Sequence, residues 1–181
     1  DPGQSLPMLA ARDLVQSLEG CRILIANDYE LDLILGKTGM NKEALLKRAA
    51  AVIVTLGELG SRLFTPGCEI CIPAAKPKTV KDPTGAGDSY RGGLISGLVQ
   101  GMAIEQCARM GSVCASFAVE CVGTQEYRFS FEEFNGGRRA LWDGPPCTEP
   151  LSASLPIPIP GILQTPFGPF LPRILAFCPR V

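Results

Sequence analysis

Two short runs, at residues 22–26 and 51–55, constrain the fold of this chain more than any other feature. The second run, Ala-Val-Ile-Val-Thr, is apolar without alternation, which is typical of a strand in a parallel sheet that is covered on both faces. Helical patterns lie at residues 12–18, 28–35, 41–50, 85–99 and 104–122, and a hairpin pattern lies at 62–73. This alternation predicts an α/β fold, a partial doubly wound sheet flanked by helices.

The composition excludes several classes of function. With 17 basic and 18 acidic residues the net charge is −1, so we expect no nucleic-acid partner and no membrane partner. No apolar run approaches the roughly 18 residues of a membrane span. The chain has no histidine, which removes Ser-His-Asp and Cys-His catalysis and His-ligated metals. Any chemistry must use carboxylates, backbone dipoles, bound ions or cysteine.

The eight cysteines do not indicate a disulfide framework, because the chain is neither short nor poor in apolar residues. Cys107, Cys114 and Cys121 recur every seven residues, which predicts buried positions on one helix face. Cys68 and Cys71 have metal-ligand spacing, but they lack a second pair and lie in a strand-like stretch. We therefore expect structural thiols, no signal peptide, and a reducing, cytoplasmic location.

Proline divides the chain in two. Ten of the 16 prolines fall within residues 141–181, a stretch that carries only four charged residues. The proline spacing at residues 155–160 excludes a helix or a central strand there, although many residues of the stretch are apolar. We predict an irregular, proline-rich C-terminal tail over residues 138–181. The tail either lies against an apolar surface or has a foreign origin, such as a change of reading frame.

The residues that carry chemistry concentrate between Asp82 and Asp88, in the sequence Asp-Pro-Thr-Gly-Ala-Gly-Asp. This places backbone N–H groups of Gly85, Ala86 and Gly87 at the start of a long helix, where anionic oxygens bind. Asp88 lies in the first turn and can accept a proton from a substrate hydroxyl. The alternative is an ordinary helix start, with Asp88 a favourable first-turn anion and the glycines serving only the turn.

Two other phosphate-binding motifs fail on spacing. The dinucleotide fingerprint needs a small residue three positions after Gly87, where Tyr90 stands. Residues 36–38 supply the Gly-Lys-Thr ending of a P-loop, but the position five before Gly36 is Leu31 and no strand leads into it.

Three motifs in order resemble those of the ribokinase-like (PfkB) family of carbohydrate and nucleoside kinases, especially bacterial adenosine and sugar kinases. The stretch from Asp82 to Asp88 is similar to the family signature. Asn27-Asp-Tyr-Glu30 resembles the N-x-x-E motif, and Thr55-Leu-Gly57-Glu-Leu-Gly60 resembles the T-x-G-x-x-G loop. The resemblance covers about residues 1–134, and we assign residues 1–137 to the C-terminal part of such a kinase domain.

The resemblance implies roles for the helix start and the first strand end. Asp88 would be the general base that takes the proton of a substrate hydroxyl as it attacks the γ-phosphate of ATP. Gly85, Ala86 and Gly87 would form the anion hole for the transferred group. Asn27 and Glu30 would organise Mg²⁺ through water, although the same pair also suits a helix cap.

The resemblance also implies a nucleotide site. Thr55, Gly57 and Gly60 would let the backbone approach the nucleotide; without the other motifs they are an ordinary turn. Gly111, Ser112 and Ala115 would lie near the adenine, and are otherwise small packing residues. By the family pattern, Asp82 and Thr84 would bind a monovalent cation such as K⁺, with backbone carbonyls near Ala118 and Gly123.

The implied function is an ATP-dependent phosphotransferase that acts on a hydroxymethyl group of a sugar or nucleoside, adenosine- or ribose-like. Complete family members begin well before the position that matches Asp1, so the chain resembles only their nucleotide-binding, catalytic part. The alternative is therefore a truncated, catalytically silent nucleotide-binding fragment. A sheet without its early strands has an exposed edge, which predicts a homo-oligomer or non-specific self-association.

Overall fold

The computed structural model describes residues 1–142, with the exception of the Trp142 side chain. Residues 143–181, which include most of the predicted proline-rich tail, lie outside the described residues. The described chain divides into two compact units, Asp1–Ala74 and a second unit that begins at Ala75. No helix in this part of the chain is both long and apolar enough to cross a bilayer.

The first unit is a mixed sheet with helices. Its elements in chain order are a 3₁₀ segment at Gly3–Met8, α1 (Ala11–Leu18), β1 (Ile23–Asn27), α2 (Asp28–Thr38), α3 (Lys42–Leu46), β2 (Ala51–Thr55), a 3₁₀ turn at Gly57–Leu59, β3 (Ser61–Thr65) and β4 (Cys68–Ile72). Within residues 1–74 the strand order is β1-β2-β3-β4. β1 and β2 are parallel, whereas β3 and β4 are added antiparallel through the expected hairpin.

The apolar runs of the sequence form the core of this unit. One face of the sheet packs against α1, α2 and α3 through a single cluster of buried side chains: Leu14, Leu18, Leu24, Ala26, Leu31, Ile34, Leu45, Val52, Val54 and Phe64. Each Leu, Ile, Val or Phe side chain of this cluster contributes about 1.5–3 kcal/mol when it is fully buried. Residues of the opposite face, such as Ile53 and Leu63, are buried as well. Burial on both faces explains why β2 does not alternate, and it confirms the predicted helix-flanked α/β sheet.

Two helices are shorter than the sequence patterns predict. The pattern at 41–50 forms α3 only over Lys42–Leu46, because the chain turns there to enter β2. Asn41 caps this helix, since its side-chain oxygen accepts a hydrogen bond from the Ala44 amide at 2.9 Å. The pattern at 104–122 ends at Ala118, so Cys121 lies beyond the helix.

The second unit consists of α4 (Ala86–Val99), α5 (Ile104–Ala118) and α6 (Phe131–Trp142). α4 and α5 approach closely at glycines: a Cβ added at Gly93 would lie 2.7 Å from the Met110 carbonyl oxygen. Cys107 and Cys114 are buried in α5, as the sequence predicts. Burial raises the pKa of Cys107 to about 11 and the pKa of Cys114 to about 12, so both thiols are protonated at neutral pH.

Sequence analysis assigns no element to α6, although a helix-start signal is present. Ser130 and Glu133 form a capping box: the Ser130 hydroxyl accepts from the Glu133 amide at 3.1 Å, and Glu133 accepts from the Ser130 amide at 2.8 Å. Phe134 and Leu141 are buried in the same cluster as Val113 of α5. The boundary predicted at residue 137 therefore falls inside a helix, and the division into kinase part and tail stays a prediction.

Candidate active site

Two of the three motifs lie at the same end of the sheet, where β1 and β2 finish. Asn27, the last residue of β1, stands opposite Thr55, the last residue of β2, in the parallel register. The carboxyl ends of neighbouring parallel strands form the edge at which α/β proteins bind ligands. Asn27 and Thr55 are 28 positions apart in the sequence. Because they pair in the sheet, the N-x-x-E and T-x-G-x-x-G segments start side by side.

Asn27 and Glu30 form a capping box at the start of α2. The Asn27 side-chain oxygen accepts a hydrogen bond from the Glu30 amide at 2.7 Å, and Glu30 Oε2 accepts from the Asn27 amide at 2.8 Å. The helix-cap interpretation of this pair is confirmed. The capping bond uses only one Glu30 oxygen. Amide and carboxylate oxygens are suitable ligands for Mg²⁺ and its bound water, so the pair also fits a water-mediated magnesium site. That second role stays a prediction.

The two glycines of the T-x-G-x-x-G loop are required for different structural reasons. Gly60 has a φ of 90°, and a Cβ there would lie 2.1 Å from the Ile72 carbonyl oxygen. Its identity is therefore explained by the approach of β4. Gly57 has a φ of 58°, and a Cβ there would have no neighbour within 4 Å. Gly57 thus leaves open space beside the backbone, whereas the nucleotide contacts of Thr55, Gly57 and Gly60 stay predictions.

The start of α4 lies in the second unit and has the geometry of an anion-binding turn. Gly85, with a φ of 83°, occupies the N-cap position, and no side chain caps the helix there. The Ala86 amide donates to the Pro83 carbonyl oxygen at 3.2 Å, so it serves the turn. The Gly85 and Gly87 amides donate to no acceptor within the described residues. Of the three amides predicted to bind anions, these two keep their donors available.

Asp88 lies in the first turn of α4, and its side chain is 70% exposed. Its carboxylate pairs with the Arg91 guanidinium one turn further along the helix. Sequence analysis missed Arg91, although opposite charges three positions apart on a helix are a recognisable signal. An exposed carboxylate beside free amides can approach both a hydroxyl and a phosphate, as the predicted role requires.

Asp82 has a structural role in the turn before α4. Its carboxylate accepts hydrogen bonds from the Gly123 amide at 3.0 Å and the Thr84 amide at 2.9 Å. The bond from the Gly123 amide foremost, and then those from the Thr84 side chain and amide, hold the pKa of Asp82 below its ordinary value. Because both oxygens already accept N–H groups, the monovalent-cation site at Asp82 and Thr84 gains no support and stays a prediction.

The segment after α5 contacts this turn in further ways that sequence analysis missed. The Thr124 Cα would lie 3.1 Å from a Cβ added at Gly85, so the two backbones are in close contact. The Ser89 hydroxyl donates to the Tyr127 hydroxyl at 2.9 Å. No local sequence pattern identifies these pairs, because the two partners of each pair are separated in the sequence by most of α4 and by all of α5.

The residues predicted beside adenine lie on α5. Gly111 is buried in the α4–α5 contact, where a Cβ would lie 2.7 Å from the Tyr90 carbonyl oxygen. The neighbouring Ser112 hydroxyl is also buried and accepts from the Ala75 amide at 2.8 Å. Ala115, one turn further, is half-buried. The packing interpretation therefore accounts for Gly111, and the adenine contacts of Gly111 and Ala115 stay predictions.

Among residues 1–142, no group of three or more Cys, Asp or Glu side chains is arranged to hold a metal ion. Cys68 and Cys71 are three positions apart in β4, so their side chains point to opposite faces of the sheet. All six cysteines of this range are in the thiol form, without a disulfide bond.

Comparison with known proteins identifies the family. Residues 1–128 match the pfkB family carbohydrate kinase domain. A nucleoside kinase of Methanocaldococcus jannaschii is 40% identical over 125 residues, which cover 69% of this chain and 41% of the relative. The chain thus spans about two fifths of that protein's length.

Solved structures agree with this comparison. Burkholderia thailandensis nucleoside kinase in complex with inosine matches with a TM-score of 0.76 and 32% identity, over 78% of this chain and 48% of that one. The same enzyme in complex with ADP-inosine matches with a TM-score of 0.76 and 31% identity, over 84% and 48%. With its ribokinase-like fold and its three motifs in family order, the chain belongs to the pfkB family of carbohydrate kinases.

Proposed function

We propose that this chain is the nucleotide-binding, catalytic part of an ATP-dependent kinase that phosphorylates a hydroxymethyl group of a nucleoside or sugar. The observation that carries the proposal is the start of α4, where the exposed Asp88 carboxylate stands beside the unpaired Gly85 and Gly87 amides. Family membership supports it, as does the neighbour structure that holds ADP-inosine.

In this proposal the reacting groups meet at the helix start. Asp88 accepts the proton of the substrate hydroxyl, whose oxygen attacks the γ-phosphorus of ATP while the bond to ADP breaks. The Gly85 and Gly87 amides, with the positive end of the α4 dipole behind them, stabilise the charge on the transferred phosphoryl oxygens. The Ala86 amide contributes less, because it already donates to Pro83.

In this proposal the cofactor-binding residues lie at the carboxyl ends of β1 and β2 and on α5. Asn27 and Glu30 would hold Mg²⁺ through water, and the ion when bound neutralises phosphate charge. Thr55 and Gly57 would lie along the nucleotide, with Ala115 near its base. A K⁺ requirement through Asp82 and Thr84, like a cytoplasmic location, stays a prediction.

A nucleoside is the preferred substrate class. The M. jannaschii relative is named a nucleoside kinase, and the B. thailandensis structure holds inosine. The second candidate is a silent nucleotide-binding fragment, and the 41% of the M. jannaschii relative that this chain spans does not decide between the two. Both candidates require nucleotide binding, and only the first requires phosphorylation.

The test is to incubate the chain with ATP and Mg²⁺ and with inosine, adenosine, ribose or fructose in turn, and to detect phosphorylated product by mass spectrometry. Nucleotide affinity is measured in parallel by calorimetry. We expect Asp88→Asn to abolish product while the affinity for ATP is retained. Asp13→Asn is the matched control, because Asp13 is also an acid in the first turn of a helix but lies in α1. Binding without product would favour the silent fragment, and absence of nucleotide binding would exclude both candidates.

A further inference from the structure

The segment at residues 123–127, which follows α5, contacts the turn at the start of α4 in several places. Gly123 donates to Asp82, Thr124 lies against Gly85, and Tyr127 accepts from Ser89. These contacts reach the residues before, at and after the helix start. The segment therefore holds the whole turn rather than one end of it.

Tyr127 is itself held by other aromatic rings. Its ring stacks on Phe129 at 6.1 Å with an interplanar angle of 5°. Phe129 in turn stacks on Phe117 of α5 at 4.6 Å and on Phe134 of α6 at 5.9 Å. Stacked rings in a packed cluster adopt few orientations, so the Tyr127 hydroxyl is presented at a defined position.

The start of α4 needs such support. No side chain caps the helix, and glycines at positions 85 and 87 give its backbone more conformational freedom than other residues would. Ser89 follows Asp88 directly, and only 5% of it is exposed. Its hydroxyl bond to Tyr127 thus ties the first turn, including Asp88, to the aromatic cluster.

We propose that Tyr127 is a positioning residue: its hydroxyl, through Ser89, holds the first turn of α4 in the orientation that presents Asp88 and the Gly85 and Gly87 amides to phosphate. The identity of the phosphate ligand rests on the proposed kinase function. The hold on the turn rests only on the contacts described above.

Tyr127→Phe tests this proposal, because it removes one hydroxyl and keeps the stacked ring. Loss of a hydrogen bond of ordinary strength, about 0.5–1.5 kcal/mol, corresponds to a roughly twofold to tenfold change in an equilibrium constant. We expect affinity for tripolyphosphate and for ATP to fall by this factor. We also expect the Ser89 amide, which donates to the Gly85 carbonyl at 3.0 Å, to exchange its hydrogen faster by a similar factor.

Ser89→Ala provides a second variant and removes the same bond from the other side. If the bond is responsible, the double variant should bind tripolyphosphate no more weakly than the weaker single variant. Ser17→Ala is the matched control, because the Ser17 hydroxyl bonds only the Asp13 carbonyl of its own helix, at 2.7 Å. A purely structural role would lower the melting temperature and leave the affinity for tripolyphosphate of the folded protein unchanged.

The readouts separate this proposal from the proposed function. If the wild-type chain binds phosphate but makes no phosphorylated product, kinase activity fails while the affinity and exchange measurements still decide the role of Tyr127. If it binds no phosphate, presentation of Asp88 and the amides to phosphate fails, and hydrogen exchange at Ser89 decides only whether Tyr127 holds the turn. The proposal would be overturned if the Ser89 amide of Tyr127→Phe exchanged its hydrogen at the wild-type rate. It would also be overturned if the wild type bound tripolyphosphate and Tyr127→Phe bound it with the same affinity.

Discussion

The Asp82 carboxylate accepts a hydrogen bond from the Gly123 amide at 3.0 Å, so the turn that starts α4 is held by a residue that follows α5. The Lys81 amide adds to this link by donating to the Val119 carbonyl at 2.7 Å. The conformation of this turn thus depends on residues about 40 positions away in the sequence. Its stability can be tested through Asp82 itself.

We predict that the stability contributed by Asp82 is lost in acid. Its pKa is lowered in the folded state by hydrogen bonds from the Gly123 amide and from the Thr84 side chain and amide. Its contribution is therefore present above the ordinary value of 3.8 and is lost as the pH falls through the lowered value. Asp82→Asn should therefore reduce the free energy of unfolding at pH 7, and the difference from wild type should shrink at pH 3. Urea unfolding at both values measures it. A difference independent of pH would show that the charge has no part in it.

Gly85 and Gly92 should respond in opposite ways to alanine. Gly85 has a φ of 83° and Thr124 in close contact, so Gly85→Ala should reduce the free energy of unfolding by about 1–3 kcal/mol. Gly92 lies inside α4 with open space around a Cβ, so Gly92→Ala should raise it by about 0.5–1 kcal/mol. Urea unfolding of the two variants provides the comparison. Equal destabilisation by both would contradict the described turn.

Much of the first unit follows from local sequence. The apolar run at 51–55 forms β2 with the predicted bounds, because burial on both faces selects a continuous apolar strand. The hairpin around Gly67 also follows, since a turn with a φ of 78° selects glycine. Helix ends are less predictable: residues 47–50 continue a helical pattern, yet the chain turns there into β2.

The second unit shows where such prediction stops. α6 contains Gly136 and Gly137, which are unfavourable residues inside a helix, yet Gly137 packs there, where a Cβ would lie 3.0 Å from Val113. The motif between Asp82 and Asp88 predicts a candidate site from the sequence alone. The Ser89–Tyr127 bond cannot be identified in this way, since it depends on how two helices return the chain to the turn.

The unpaired outer strand of the sheet predicts that copies of the chain associate. β1 is the outer parallel strand of the four described in residues 1–74, so one row of its backbone groups faces away from β2. We expect the chain to form dimers or larger species as its concentration rises, because unpaired strand edges accept further strands. Sedimentation velocity over a concentration series measures this. A monomer with a sharp, cooperative thermal transition would contradict it.

The buried cysteines should resist alkylation in the folded state. Cys107 and Cys114 have pKa values raised to about 11 and about 12 by burial, and only the thiolate reacts readily. At pH 8 iodoacetamide should leave both unmodified in the native protein and modify both in urea. Peptide mass spectrometry locates the adducts. Native-state labelling of Cys114 at the rate seen in urea would show that α5 is not packed as described.

Asn27 and Asn41 allow the two roles of the first motif to be separated. Both cap helices through a side-chain oxygen, Asn27 for α2 and Asn41 for α3, at 2.7 and 2.9 Å from the capped amides. Each change to alanine should therefore cost about 0.5–2 kcal/mol of stability. Only Asn27→Ala should also weaken magnesium-dependent ATP binding, since Asn41 lies at the far end of α2. Asn27→Ser, which keeps a capping oxygen, should restore stability without restoring the magnesium dependence. Calorimetry with and without Mg²⁺ measures the binding, and equal binding by Asn27→Ala and Asn41→Ala would limit Asn27 to its capping role.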